Sequence, residues 1–153
     1  MSEVIIIRPE EADAKRKNEQ GYDYTKRELV KRGTGKLVVN HYTIAPCASA
    51  YPYHYHTQNE EVFYILSGEG ILRTADGEKI VRPGDLLYFP ANEGGAHKLT
   101  NTSETETLVY LDIDTSNVID VSVYPDSGKI GIWGGGINKT YKLEDAVDYY
   151  EGE

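Results

Sequence analysis

One cysteine, two phenylalanines, one tryptophan and one methionine are all that the 153 residues hold of those four types. With Cys47 alone, no internal disulfide can form. The fold must close by apolar burial, and a chain of this length buries roughly 68–70% of the surface its unfolded form exposes, enough for one domain. A single thiol also suits a reducing compartment, so a cytoplasmic location is expected. Long apolar runs are missing as well. Val4 to Ile7 is too short for a signal-peptide core or a membrane span, so no membrane partner is expected. Positive charge is scarce, with 16 Lys and Arg against 25 Asp and Glu, a net charge of −9 and a pI near 4.9. The most basic run, Lys26 to Lys36, is short and mixed, so the chain repels phosphate backbones and nucleic acid is not an expected partner. There is no Gly-x-Ser-x-Gly, no CxxC and no phosphate loop. The Gly134-Gly135-Gly136 run lacks the strand-then-helix context of such a loop and reads as a flexible connection. The sequons at Asn101 and Asn138 read as chance matches.

Tyrosine, by contrast, is abundant at 13 residues. Its ring packs while its hydroxyl stays paired, which suits strands and half-wet surfaces. From Lys36 onward, short β-branched and aromatic runs alternate with turn residues. Lys36 to Ala45 ends at Pro46, and Glu61 to Leu66 is stopped by Ser67-Gly68. Gly70 to Thr74 and Glu78 to Arg82 flank the hairpin signal Asp76-Gly77. Leu86 to Phe89, His97 to Asn101, Thr107 to Ile113 and Val118 to Tyr124 complete the series. No long helical pattern interrupts residues 36–124, so the expected class is all-β, a sandwich or barrel rather than a parallel α/β sheet. Residues 1–35 read as an N-terminal arm. Pro9 within Arg8 to Glu11 could open a short helix, and Thr25 to Glu28 resembles a capping box. Residues 36–125 read as the barrel and 126–153 as a C-terminal extension. Leu143, Ala146, Val147 and Tyr150 are spaced for a short C-terminal helix.

Of the four histidines, His54 and His56 stand one residue apart. On a strand, both rings then project to the same face, as a shared ion requires. Glu61 follows five residues later and His97 about two hairpins further on. Three imidazoles and a carboxylate suit a borderline divalent ion. Glu60 is a rival to Glu61, but strand alternation sets Glu61 on one face with Phe63 and Ile65. His41 lies outside this grouping and reads as a structural strand histidine. Asn101 either orients the His97 region or serves as a strand-end turn residue. Cys47 has no base beside it and does not read as a reactive thiol.

These residues also form two recognisable motifs. His54-Tyr55-His56, four residues, Glu61, six residues and Gly68 make the first. Gly84, five residues, Pro90, then His97, three residues and Asn101 make the second. In both, the chain resembles the cupin superfamily. Pro52 to His56, Gly95-Ala96-His97 and Tyr124 to Lys129 further resemble single-domain bacterial cupins of unassigned function. The chain departs from the pattern in two places. Pro46-Cys47 stands where a glycine is expected before His54, and the stretch from Pro90 to His97 is longer than the commonest form. The resemblance implies a double-stranded β-helix, or jelly roll, with His54, His56, Glu61 and His97 holding one divalent ion: iron, manganese, zinc or nickel. It implies a homodimer and a small-molecule ligand.

Four protein ligands leave open positions on a six-coordinate ion. The expected function is therefore a metal-dependent enzyme on a small oxygenated organic compound, of dioxygenase, decarboxylase or isomerase type. The alternative is a non-catalytic module that binds a carbohydrate or carboxylate. Phe63, Ile65, Phe89 and Leu99 are expected to line an apolar pocket beside the ion.

Overall fold

The computed structural model describes residues 3–153, which build an all-β jelly roll. Its strands are β1 (Ala14–Glu19), β2 (Tyr22–Val30), β3 (Leu37–Ile44), β4 (Tyr55–His56), β5 (Glu61–Ser67), β6 (Gly70–Thr74) and β7 (Gly77–Val81). They continue with β8 (Leu86–Phe89), β9 (His97–Asn101), β10 (Leu108–Thr115), β11 (Ile119–Tyr124), β12 (Lys129–Gly134) and β13 (Ile137–Lys142). A six-stranded sheet runs β1-β2-β3-β10-β5-β8. A four-stranded sheet runs β13-β12-β11-β4, and a three-stranded sheet runs β7-β6-β9. All pairings between strands are antiparallel.

Alternation decides which side chains face inward, and position along each strand decides what they meet. On β3, Tyr42 and Ile44 are buried among apolar neighbours, while Asn40 is buried near the other end. On β10, Leu108 and Tyr110 give way to Asp112 and Asp114. On β5, the order from Glu61 to Phe63 and Ile65 reverses, as antiparallel pairing demands. One end of the barrel is thus apolar and the other polar. At the apolar end Tyr42 stacks on Tyr110 with ring centres 5.1 Å apart. Phe63 meets Phe89 edge-on at 5.0 Å. Each such ring contributes about 1.5–3 kcal/mol by leaving water.

Three local expectations are corrected. The short helix read at Arg8 to Glu11 is a single 3-10 turn, Pro9–Glu11, and the capping signal at Thr25 to Glu28 opens no helix. Residues 14–30 instead form a hairpin turning on Gln20 and Gly21, both with positive φ. Its second strand pairs with β3, and that ladder overrides the capping signal at Thr25. Gly134-Gly135-Gly136 is the tight turn of the β12–β13 hairpin rather than a flexible connection. All three glycines have positive φ, and a Cβ on Gly134 would lie 2.0 Å from the Val118 carbonyl oxygen. The C-terminal helix is absent beyond a 3-10 turn at Leu143–Asp145. Leu143, Val147, Tyr149 and Tyr150 stay exposed, and a short helix does not persist without a face to pack on.

Asn101 is fully buried and locks the apolar end. Its amide donates to the carbonyls of Ile44, Ala45 and Glu106, and its Oδ1 accepts from the Ser103 N–H. It anchors the strand end and does not reach the histidines. Asn101→Ala, which strands those buried carbonyls, should therefore cost about 2–3 kcal/mol in urea denaturation. The metal bound per folded chain should stay unchanged; a loss of metal would show that Asn101 positions His97.

Candidate metal centre

His54 and His97 are backbone neighbours, joined as an antiparallel bridge. His54 N–H donates to the His97 carbonyl at 3.1 Å, and His97 N–H donates back at 2.9 Å. His56 follows on β4, held against Ser122 of β11. Glu61 opens β5 with its side chain buried. A ligand atom from each of His54, His56 and Glu61 lies within 4.8 Å of the others. His97 joins through Glu61, its Nε2 lying 3.1 Å from Glu61 Oε2. His56 Nε2 is 3.7 Å from that same oxygen. The structure therefore brings all four sequence-nominated residues together.

The protons are disposed to leave the centre open. His54 Nδ1 lies 2.8 Å from the Pro52 carbonyl, and His97 Nδ1 lies 2.8 Å from the Gly95 carbonyl. A carbonyl only accepts, so each Nδ1 carries a proton and each Nε2 is the nitrogen turned inward, its lone pair available to an ion when the ring is neutral. His56 Nδ1 faces Asp120 Oδ2 at 2.5 Å. Asp120 is itself fixed by the N–H groups of Gln58 and Asn59. Glu61 Oε2 and His97 Nε2 are buried without hydrogen-bond partners. Two such orphans cost about 1–3 kcal/mol each unless a cation fills the space between them. The donor set fits a borderline divalent ion, and the His-His-Glu group could hold one.

Electrostatics agree. Burial, reinforced by His97, drives the His54 pKa down to about 4, so this ring is neutral at physiological pH. Burial opposes ionisation of Glu61, but attraction to His97 and His56 prevails and holds it at about 2. Burial pulls His56 down, but the Asp120 hydrogen bond and the negative charges of Glu61, Asp120 and Asp114 together outweigh it, and the pKa is raised. A second acidic group adjoins this one. Glu61, Asp112 and Asp114 also offer ligand atoms within 4.8 Å of one another. Burial, with the neighbouring charge of Glu61, pushes Asp114 up to about 7 and Asp112 well above the ordinary carboxylate range.

His54, His56 and Glu61 form part of the wall of a cavity of about 210 Å³. Its other walls mix hydrogen-bonding groups with apolar surface: Lys26 and Glu28 from β2, Val38 and Asn40 from β3, Asp114 from β10, and the rings of Tyr124 and Trp133. Of the residues expected to line an apolar pocket, Phe63 and Leu99 line a separate, small apolar pocket of about 10 Å³ together with His54 and His97. Phe63, Ile65, Phe89 and Leu99 all belong to the core cluster and stand apart from the larger cavity. Phe89 stacks on the His97 ring at 3.6 Å, so these residues support the site from below. His41 lies outside both ligand groups, and Glu60 is exposed, its Oε1 accepting from the Tyr88 hydroxyl. Sequence reasoning missed Asp120 and Ser122, whose signal is a polar pair at period two in an otherwise apolar strand. Ser122 Oγ lies 3.3 Å from His56 Nδ1 and accepts from the Trp133 indole.

Comparison with known proteins agrees with this architecture. The cupin domain model matches residues 40–114. A putative sugar phosphate isomerase from Acidithiobacillus ferrooxidans is 30% identical, with 86% of this chain and 83% of that one aligned at a TM-score of 0.74. The chain belongs to the cupin superfamily. A sugar phosphate isomerase from Silicibacter pomeroyi, 20% identical, shares the fold at a TM-score of 0.73 over 83% of this cupin and 81% of that chain. A probable oxalate decarboxylase of Arthroderma benhamiae is 39% identical over 80 residues, 46% of this cupin. That stretch is only 18% of the relative's own length.

Removing Asp120's charge while keeping its shape tests the proton arrangement. Asp120→Asn should weaken Zn²⁺ binding about 10–100-fold in a competition titration with a chromophoric chelator. Glu61→Gln should weaken it further, and Glu60→Gln should leave it unchanged. Ligands must be unprotonated to bind, so affinity should fall as pH drops through the raised His56 range.

Proposed function

We propose that this cupin is a divalent-metal isomerase of a small polyhydroxylated carbonyl compound, of the sugar or sugar phosphate class. His54, His56, Glu61 and His97 would hold the ion. A bound divalent ion would act as a Lewis acid toward the substrate carbonyl. The observation that carries the reading is the union of this convergent donor set with a cavity rich in hydrogen-bonding groups.

The walls select among the chemistries open to a metal cupin. At about 210 Å³ the cavity is smaller than the 300–1,000 Å³ typical of drug-sized ligands, so a small metabolite fits it best. Glu28, Asp112 and Asp114 supply carboxyl oxygens that pair with substrate hydroxyl groups. Lys26 and Arg32 also line the cavity and would attract an anionic substituent carried at the far end of a substrate. Asn40 and the Tyr51 and Tyr124 hydroxyls can fix hydroxyl positions. The 30% identical neighbour bears the name of a putative sugar phosphate isomerase, which supports the same substrate class.

The test is proton NMR in D₂O with metal-loaded protein and a panel of aldoses, ketoses and their phosphates. Interconversion with solvent deuterium entering beside the carbonyl is expected, abolished by chelation and by Glu61→Gln. Conversion of oxalate to formate instead would make the chain a decarboxylase. Metal-dependent binding of a sugar without any exchange would make it a binding module.

A further inference from the structure

The geometry points to a second cation site, built from Asp112, Asp114, Asn40 Oδ1 and the shared Glu61 and selective for a hard divalent ion such as Mn²⁺ or Mg²⁺. In the one-ion reading neither Asp112 nor Asp114 holds an ion. Yet the two project from alternate positions of β10 into the cavity beside the histidines. Asp114 stands opposite Glu61 in the β10–β5 ladder, and Asp112 stands opposite Asn40 in the β10–β3 ladder. The register thus brings three carboxylates and an amide together from three adjacent strands. The carboxylate ligand atoms lie within 4.8 Å of one another.

Clustered acids alone would not make a site. The second observation is Asn40. It is 2% exposed, and its Nδ2 donates to Asp112 Oδ2 at 3.2 Å. That bond leaves Oδ1 buried with no partner, and Asp112 Oδ1 is equally orphaned. Two acceptor oxygens facing no donor is the pattern a cation resolves. The nearby basic side chains do not resolve it. Lys26 turns to Glu28 at 3.8 Å, and Arg32 donates to the Asn117 carbonyl. Among the described residues, no Lys or Arg ion pair reaches Asp112 or Asp114.

The donor chemistry separates the two sites. Three imidazoles and one carboxylate favour zinc, iron or nickel, whereas an all-oxygen set of carboxylates and an amide carbonyl favours magnesium, manganese or calcium. Glu61 belongs to both groups, and a carboxylate has two oxygens. It can therefore bridge a pair of ions, the arrangement by which two-metal centres clamp adjacent oxygens of one substrate. The proposal rests on the histidine cluster holding the first ion.

The experiment loads the protein with one equivalent of Zn²⁺, then titrates Mn²⁺ while following the electron paramagnetic resonance signal of free Mn²⁺. One further Mn²⁺ per zinc-loaded chain is expected. Asp114→Asn, at the less buried of the two positions, and Asp112→Asn should each weaken Mn²⁺ about tenfold or more while zinc stays at one equivalent. Zinc bound at one equivalent with no Mn²⁺ taken up would overturn this inference and leave the histidine site standing. Equal Mn²⁺ affinity in wild type and both variants would overturn it too. Zinc failing to bind, or binding equally to His56→Ala, would overturn both readings.

Discussion

Three imidazoles can converge on one point only if no proton stands between them. Here that constraint is met by oxygens placed outside the cluster. The Pro52 and Gly95 carbonyls fix the His54 and His97 tautomers, and Asp120 engages Nδ1 of His56. The three anchors come from different parts of the fold: a loop before β4, the 3-10 turn before β9, and strand β11 of the second sheet. The metal centre therefore depends on the closure of the whole barrel. The backbone exchange between His54 and His97 makes this closure and the site one structure.

The polarity gradient along the barrel follows from the same arrangement. Apolar residues occupy one end, and the histidines form the boundary. Phe89 stacked on His97 and Phe63 edge-on to it exclude water from beneath the cluster. A dry floor strengthens every charge interaction above it. That explains why Glu61 ionises despite burial, supported by histidines, while Asp112, lacking such partners, is driven toward its neutral form.

How much of this was legible follows from what each signal encodes. His54, His56, Glu61 and His97 were readable because two-residue spacing puts side chains on one face and because the two motifs span the strands that meet. Parity reports a face but not a depth. Phe63 and Leu99 share the inward face with Glu61 and His97, yet they lie further down the barrel in the core. Asp112 and Asp114 carried the same parity signal, an acid at alternate positions of an inward-facing strand, and only the register against β3 and β5 reveals their company. The hairpins at both ends of the chain were missed for a different reason. Gln20-Gly21 and Gly134-Gly135-Gly136 join neighbouring strands whose outer members, Ala14–Glu19 and Ile137–Lys142, are exposed along their whole length and so carry no buried alternation to read. Propensity could not outvote pairing it could not see.

Those hairpins bear on which molecule enters. The cupin domain model stops at residue 114 and starts at residue 40. Within it lie all four histidine-cluster residues, so this part of the chain governs the chemistry of the ion. Lys26, Glu28 and Arg32 precede it, and Asp120, Ser122, Tyr124 and Trp133 follow it, and all seven line the cavity. The cavity wall is therefore completed by segments from both ends of the chain, while the ligand cluster comes from its centre.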